Sequence, residues 1–350
     1  MPKYWKLAEV LREQIASGEL APGAQLSSVA QMQAQYGISL STVNQAVTVL
    51  ENDGLIVRIQ GRGNFVARQP VKQTLGTLGL LLHIGSLTGA YNTELLTGIR
   101  QAARQQKLEL LWLNDEDVRD CRQADAFLMY CNSTVAHALN PPADVPIVLL
   151  FQHTSDFTCI AVDDFNGAKV AARHLLEQGH RRIAYILSSD SDTISCQRLA
   201  GYRAALEEAG IGMDDRWIHF LKPNGVRNYR LDGETAMLNW LEADWAELGC
   251  TAILAPNDEA AIGMIRALKA HNIIVPDDLS VVGFDGTEVS ELSTPRLTTV
   301  TVPLQEIGAK AVELLANQVR TGVLSQPQIF MLPAELKISE STASLSSKVR

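Results

Sequence analysis

The sequence contains no apolar run of the ~18 residues that a membrane-spanning helix needs; the stretch from Leu78 to Ile84 has only the length of a buried strand. Its opening residues, Met1-Pro2-Lys3-Tyr4-Trp5-Lys6, lack the apolar core and small-residue cleavage site of a secretory leader. Cysteine is scarce. Cys121, Cys131, Cys159, Cys196 and Cys250 form no CxxC pair and sit mostly in apolar stretches, which argues against a disulfide framework and predicts free, buried thiols in a reducing cytoplasm. The seven histidines are scattered without metal-binding spacing, and neither a GxSxG elbow nor a phosphate-cradling P-loop is present. Asp190-x-Asp192 opens like a calcium loop, but Ile194 and the missing glycine and terminal glutamate break it. With no nucleophile–base pair and no metal constellation, the residues predict a non-enzymatic protein without a cofactor. Basic residues are outnumbered, 30 against 39, for a net charge of −9, which argues against broad, non-specific nucleic-acid binding.

What is present is organised in two parts. A chain of 350 residues, 46% hydrophobic and 20% charged, is a soluble globular composition too long for one ordinary core. The charge is unevenly spread. Up to residue 70, Lys3, Lys6, Arg12, Arg58, Arg62 and Arg68 stand against Glu9, Glu13, Glu19, Glu51 and Asp53, so this head is weakly basic and the remainder carries the acidity.

In the head, Tyr4, Leu7, Ala8, Leu11 and Ile15 fall at helical spacing on one stripe, and Gly18 and Pro22-Gly23 punctuate its end. A short helix then runs to Tyr36, Gly37-Ile38-Ser39 turns the chain, and a further helix runs to about Asp53. Ser39 is placed to cap this last helix, and Val43, Val47 and Leu50 mark its buried face. Its opposite face carries Leu40, Ser41, Asn44, Gln45 and Thr48, with Thr42 beside them. Asn and Gln amides pair bidentately with adenine in the major groove, and Thr touches a thymine methyl. Gly61-Arg62-Gly63 tips a hairpin that brings Arg58 and Arg62 beside backbone able to approach phosphates closely. The order helix, turn, helix, wing predicts a winged helix-turn-helix that enters DNA grooves. Candidate DNA-binding residues are Ser41, Thr42, Asn44, Gln45, Arg58 and Arg62.

Over residues 4 to 67 the head resembles a GntR-type winged helix. It departs from that family at Val29-Ala30, where charged residues are usual, and at Leu40 and Asn44, where arginines are usual. Two alternatives follow: an A/T-biased operator with Arg62 and Lys3 or Lys6 on phosphates, or weak DNA binding.

Past a linker at 69–75, strand-length apolar runs alternate with helical segments. Predicted strands are Leu78–Ile84, Leu108–Leu113, Ala126–Tyr130, Ile147–Phe151, Ile183–Leu187, Ala252–Ala255 and Ser280–Phe284. Predicted helices include Glu94–Gln105, Ala168–Glu177, Leu199–Glu208, Ala260–Ala270 and Gln305–Val319. Continuous apolar strands alternating with helices predict parallel sheets covered on both faces, and about 265 residues of them predict two doubly wound lobes with ligand outside the carboxyl ends of the strands. Asp163-Asp164 with Gly167-Ala168, Gly179-His180-Arg181-Arg182-Ile183-Ala184, Arg198-x-x-Gly201-Tyr202, Asn257-Asp258, Val275-Pro276-Asp277-Asp278-Leu279-Ser280 through Gly283-Phe284-Asp285, and Pro295-x-Leu297-Thr298-Thr299-Val300 follow in order. On these strings the body resembles the effector domain of LacI/GalR-type repressors, itself similar to periplasmic sugar-binding proteins. A GntR head on such a body is the arrangement of arabinose-repressor-like regulators.

The resemblance implies an α/β fold with an N-terminal winged helix-turn-helix and a two-lobed, doubly wound periplasmic-binding-protein-like domain. The division is head 1–68, linker 69–75, body 76–342 and tail 343–350. It implies Tyr91, Phe151, Arg198, Asn257 and Asp285 as ligand-binding residues, with Phe151 replacing an aspartate common in the family. An amide, a carboxylate and a guanidinium engage adjacent hydroxyls while a ring covers an apolar face, which suits a sugar or nucleoside-like effector. Asp258 is expected to cap the helix that follows it, Asp163 and Asp164 to complement a helix dipole, and His180 to be structural. The implied protein is a cytoplasmic, ligand-responsive repressor, a homodimer with operator DNA and a small molecule as partners and no membrane. A sensor whose head has lost specific DNA binding is the alternative within binding proteins, and an enzyme on the same α/β body is the alternative outside them.

Overall fold

The computed structural model describes residues 3–52, 55–59, 63–67, 76–82, 89–113, 124–131, 133–138, 145–189, 192–222, 228–324 and 326–345. The linker 69–75, Arg62, Cys121 and Asp190 lie outside them.

The head consists of α1 (Lys3–Ala16), α2 (Val29–Tyr36), α3 (Leu40–Asn52) and the antiparallel pair β1 (Ile56–Ile59) and β2 (Gly63–Val66). Of the predicted core residues, Leu7, Ala8 and Leu11 of α1 and Val43, Val47 and Leu50 of α3 are buried while Tyr4 and Ile15 are partly buried, and Met32 of α2, Ala46 of α3 and Ile56 and Val66 of the wing join them. Local chemistry sets the helix ends. Ser28 and Gln31 form a reciprocal capping box at the start of α2. Gly37 ends that helix at φ +61°, a left-handed conformation open to glycine at no steric cost. The Ser39 hydroxyl accepts from the Thr42 amide at 3.3 Å at the start of α3.

The body continues with β3 (Thr77–Leu82), α4 (Ala90–Gln105), β4 (Glu109–Trp112), β5 (Ala126–Tyr130), α5 (Ser133–Ala138), β6 (Ile147–Leu150), β7 (Thr158–Val162), α6 (Asp164–Glu177), β8 (Ile183–Leu187), α7 (Thr193–Glu208), β9 (Ile218–Phe220), α8 (Tyr229–Glu242) and α9 (Trp245–Leu248). There follow β10 (Ala252–Leu254), α10 (Asp258–Ala270), β11 (Ser280–Asp285), α11 (Glu288–Leu292), β12 (Thr298–Thr301), α12 (Leu304–Thr321), β13 (Ile329–Leu332) and β14 (Glu335–Lys337). One sheet has the order β13-β7-β6-β5-β3-β4 and the other β14-β12-β11-β10-β8-β9. All neighbours within them are parallel except β12 and β14. Strands such as β7 and β8 are buried along their whole length, as strands covered on both faces must be.

The chain passes between the two lobes three times: from β7 to α6, from β12 to α12, and from β13 to β14. The Asp163 amide donates to the Leu332 carbonyl at 2.9 Å and ties the first passage to the third. In the first lobe α12 packs so closely on α4 that a Cβ on Gly98 would lie 2.0 Å from the Gln305 carbonyl oxygen.

The helices begin earlier than apolar spacing predicts because polar caps start them. Asp163 caps α6, Asp192 caps α7 and Asn257 caps α10. Asn257, rather than Asp258, holds that last position. Asp164 likewise turns inward to Arg198 instead of merely facing the helix dipole. Cys131, Cys159 and Cys250 are buried, whereas Cys196 is exposed on α7. His180 is fully buried, bonded to Thr251 at 2.8 Å and to the Ala343 carbonyl at 3.2 Å. Residues 343–345, read from sequence as tail, are therefore anchored: the Leu345 amide also donates to Gln178 O at 2.8 Å.

Candidate functional site

Two surfaces gather the candidate residues. On the head, the burial of Val43, Ala46, Val47 and Leu50 at 0% exposure leaves Leu40, Ser41, Asn44, Gln45 and Thr48 exposed on the other side of α3. Thr42 is half-buried, and its hydroxyl lies 2.7 Å from that of Ser39, so it belongs to the helix cap. Arg58 projects from β1 with a nitrogen 3.4 Å from a Glu51 carboxylate oxygen. Arg62 is outside the described residues.

In the body a cleft of about 640 Å³ lies between the lobes. Its walls come from segments beside the carboxyl ends of parallel strands: Tyr130 ends β5, Ser188 follows β8, Pro256 and Asn257 follow β10, and Asp285 ends β11. This is where a doubly wound sheet offers a crevice, because the connections to flanking helices diverge there. Tyr91 from the first turn of α4 and Tyr229 from the start of α8 complete the aromatic part of the lining.

Arg198 is the organising cation. It is only 12% exposed, and its Nε donates to Asp164 Oδ1 at 2.7 Å while a terminal nitrogen donates to the Pro256 carbonyl at 2.7 Å. Its guanidinium carbon sits 3.4 Å from the centroid of the Phe284 ring. Burial works against its charge, but Asp164 and then Asp285 hold it firmly cationic. Asp285 has the opposite problem. Burial raises its carboxyl well above the usual range, and Arg198 offsets only part of that. Among the described residues its side chain accepts no hydrogen bond from the protein, so its acceptor capacity is open to the cleft. Its backbone stands at φ +107°, an uncommon conformation for a side-chain-bearing residue. Burial also raises the phenols of Tyr91 and Tyr130, so both stay neutral donors.

Beneath Asp285 lies a supporting carboxyl. Asp258, 1% exposed, accepts from the Thr287 amide at 2.8 Å and faces the Thr287 and Thr299 hydroxyls at 3.1 and 2.5 Å. Burial pushes it up to about 7 even though these bonds oppose the shift. It pins the turn that carries Asp285. Asn257 uses its carbonyl oxygen to accept from the Ala260 amide at 2.8 Å, leaving its NH2 group as a donor.

Four of the five candidate ligand residues, Tyr91, Arg198, Asn257 and Asp285, thus line one cleft. Phe151 does not. It is 3% exposed and sits behind the wall, its ring 5.7 Å from that of Tyr91 and 5.0 Å from that of Tyr130. The chain turns at Phe151 with φ +58°, which directs the ring into the core. Sequence reasoning missed Tyr130, Tyr229, Thr287 and the Arg230–Glu259 ion pair at 2.8 Å. Tyr130 was legible as the last residue of a predicted strand, whereas Tyr229 opens a helix that periodicity did not reveal.

Comparison with known proteins follows the same division. Residues 3–66 match the family of bacterial regulatory proteins called the gntR family, and residues 172–342 match the periplasmic binding protein-like domain. The HTH-type transcriptional regulator GalR of Escherichia coli is 33% identical over 301 residues, covering 79% of this chain and 85% of that protein. The arabinose metabolism transcriptional repressor of Geobacillus stearothermophilus is 25% identical over 98% of both chains. A transcription regulator from Lactobacillus plantarum superimposes with a TM-score of 0.67 at 26% identity, covering 77% of this chain and all of that one. A LacI family regulator from Enterococcus faecium, crystallised with bound ribose, has the same fold, with a TM-score of 0.67 at 23% identity over 77% of this chain and 99% of that one. These relatives are transcriptional regulators, not enzymes, and among the described residues no helix is long and apolar enough to cross a membrane. The chain is a DNA-binding transcriptional regulator of the LacI/GalR family that carries a GntR-type head.

Proposed function

We propose that this regulator is a repressor released or engaged by a sugar or a related, nucleoside-like polar metabolite, and that it works in the cytoplasm as a homodimer on a near-palindromic operator. The working division is head 1–68, linker 69–75, body 76–342 and tail 343–350. The observation that carries the reading is the cleft itself. An open carboxyl at Asp285, an amide donor at Asn257, a fixed cation at Arg198 and phenol rings at Tyr91 and Tyr130 converge on about 640 Å³, a polyol-recognising mixture in a volume suited to a small metabolite. Phe151 acts by backing those rings. The arabinose link in one relative's name supports the same ligand class. Ser41, Asn44 and Gln45 face the operator bases, Thr42 holds the start of their helix, and Arg58 and Arg62 meet phosphates from the wing. Ligand closes the lobes around the three passages, shifts the placement of the paired heads and so changes operator affinity.

A thermal-shift screen of pentoses, hexoses, disaccharides and nucleosides tests this. Ligand at a hundred times its Kd adds about 2.7 kcal/mol of stability. The Asp285→Ala protein keeps the parent's circular dichroism, because no protein group depends on that carboxylate for a hydrogen bond among the described residues, and it loses the ligand-induced rise in Tm. If Asp285→Ala responds to the ligand as the parent does, the cleft assignment is wrong.

A further inference from the structure

The reading face of the head has a chemistry of its own. The described residues of α2 and α3 include no lysine or arginine; the two helices read Val-Ala-Gln-Met-Gln-Ala-Gln-Tyr and Leu-Ser-Thr-Val-Asn-Gln-Ala-Val-Thr-Val-Leu-Glu-Asn. The exposed positions of α3 are 40, 41, 44, 45 and 48, which a period of 3.6 places on one side of the helix. From Leu40 to Thr48 the helix rises about 12 Å, the width of a major groove and the length of three to four stacked base pairs. At the centre of that span lie two adjacent amides, Asn44 and Gln45. At its ends lie apolar groups, Leu40 at 53% exposure and the methyl of Thr48. Of the described arginines nearby, Arg58 on the wing lies 3.4 Å from Glu51, and Arg12 on α1 bonds Glu9 and lies 4.8 Å from the Trp5 ring centroid; neither stands on α3.

We propose that α3 reads adenine–thymine pairs, Asn44 and Gln45 each gripping the N6 and N7 edge of an adenine while Leu40 and Thr48 contact thymine methyls. The reasoning is one of matching groups. Guanine presents two acceptors, O6 and N7, and its usual reader is a bidentate cation; α3 offers none. Adenine presents one acceptor and one donor, which a carboxamide complements with both of its own. Thymine adds a methyl that favours an apolar neighbour, and cytosine offers none in exchange. Neutral amides also release no counterions, so this discrimination is independent of salt even as phosphate contacts weaken. The proposal rests on the head's being a DNA reader and specifies which bases it reads.

The test is a selection of duplexes from a random library with the full-length protein at low salt, run in parallel for the parent and for Asn44→Arg. The parent is expected to enrich half-sites with adenine–thymine cores. Replacing one contacted adenine by 7-deazaadenine, which lacks the N7 acceptor, is expected to weaken parent binding by about 5- to 150-fold. The same replacement leaves Asn44→Ala or Gln45→Ala unaffected, according to which amide reads that base, and the ratio between normal and modified duplex stays constant as salt rises. Asn44→Arg is expected to shift the enriched core toward guanine. A guanine-centred core for the parent, or indifference of every core adenine to 7-deaza substitution, overturns the proposal while leaving DNA binding intact. Failure of both proteins to enrich any sequence overturns the DNA reading of the head, and this proposal with it.

Discussion

Removing the Asp164 carboxylate tests whether Arg198 is a cation held by the fold or one free to serve ligand alone. The pair is deep: the arginine side chain is 12% exposed and the aspartate 3%. In Asp164→Ala the guanidinium keeps the Pro256 carbonyl and the Phe284 ring but loses its partner at 2.7 Å. Stranding a buried charge in this way costs about 3–5 kcal/mol, a large part of the about 5–15 kcal/mol that a folded domain has in hand. Asp285 also acts on Arg198 electrostatically, so a guanidinium that swings toward it recovers part of the loss, and the cost then falls at the lower end. Replacing both partners, as Asp164→Ala with Arg198→Met, removes the stranded charge and fills its space with apolar atoms. This variant is expected to be more stable than Asp164→Ala by at least about 1 kcal/mol, since exchanging a buried ion pair for hydrophobic packing is often neutral. Urea unfolding followed by tryptophan fluorescence reads the difference, because Trp217 and Trp240, 7% and 4% exposed, both belong to the second lobe. The reasoning fails if Asp164→Ala unfolds within about 1 kcal/mol of the parent, or if the double variant is no more stable than the single one. The same geometry predicts that Arg198→Ala is destabilising as well as ligand-blind, because it strands Asp164 in turn.

Asp258 and Asp285 are both raised by burial, Asp258 to about 7, so the folded state holds protons that the unfolded chain releases near the ordinary carboxylate value. The stability that Asp258 contributes is fully present below that ordinary value and is lost as pH rises toward 7, at up to about 1.4 kcal/mol per pH unit, and Asp285 acts in the same direction. Asp258→Asn, which copies the protonated form, is expected to flatten the stability profile relative to the parent between about pH 4 and 7. Equal slopes for the two proteins in urea titrations across that window would refute the linkage. Coupling between ligand and DNA is expected to be about 1–3 kcal/mol and reciprocal, and a Gly-Ser insertion after Val71 is expected to shrink it without touching ligand affinity. If operator titrations with and without ligand show full coupling in the insertion variant, head placement by the linker is not the transmitting device.

The head was the most legible part of the chain because its determinants are local. Helical spacing of Leu7, Leu11, Val43, Val47 and Leu50, a glycine turn and a serine cap act over a few residues, and all lie where periodicity places them. The alternation of apolar strands with helices likewise announced parallel sheets. Strands such as β5 and β8 match their predicted bounds because burial on both faces demands an unbroken apolar run. Short or polar elements escaped this logic. The strand β9 has three residues, too few to show a period, and α8 buries Asp232 and Gly233 while exposing Leu231, so its inward face lacks the apolar contrast that periodicity reads.

The site divides along the same line. The kinds of group available to the cleft, an arginine, an amide, a carboxyl and aromatic rings, could be read from the chain. Which of them meet depends on how the lobes assemble. Arg198 is clamped by a residue 34 positions away and a carbonyl 58 positions away. The left-handed turn at Phe151 sends that ring behind Tyr91 and Tyr130, and Asn257 rather than Asp258 caps α10 because Asp258 is drawn inward to Thr287 and Thr299. A cleft formed where parallel strands end is assembled from segments far apart in sequence, and the distances between them are set by sheet order and by the three passages between lobes, neither of which any local pattern encodes.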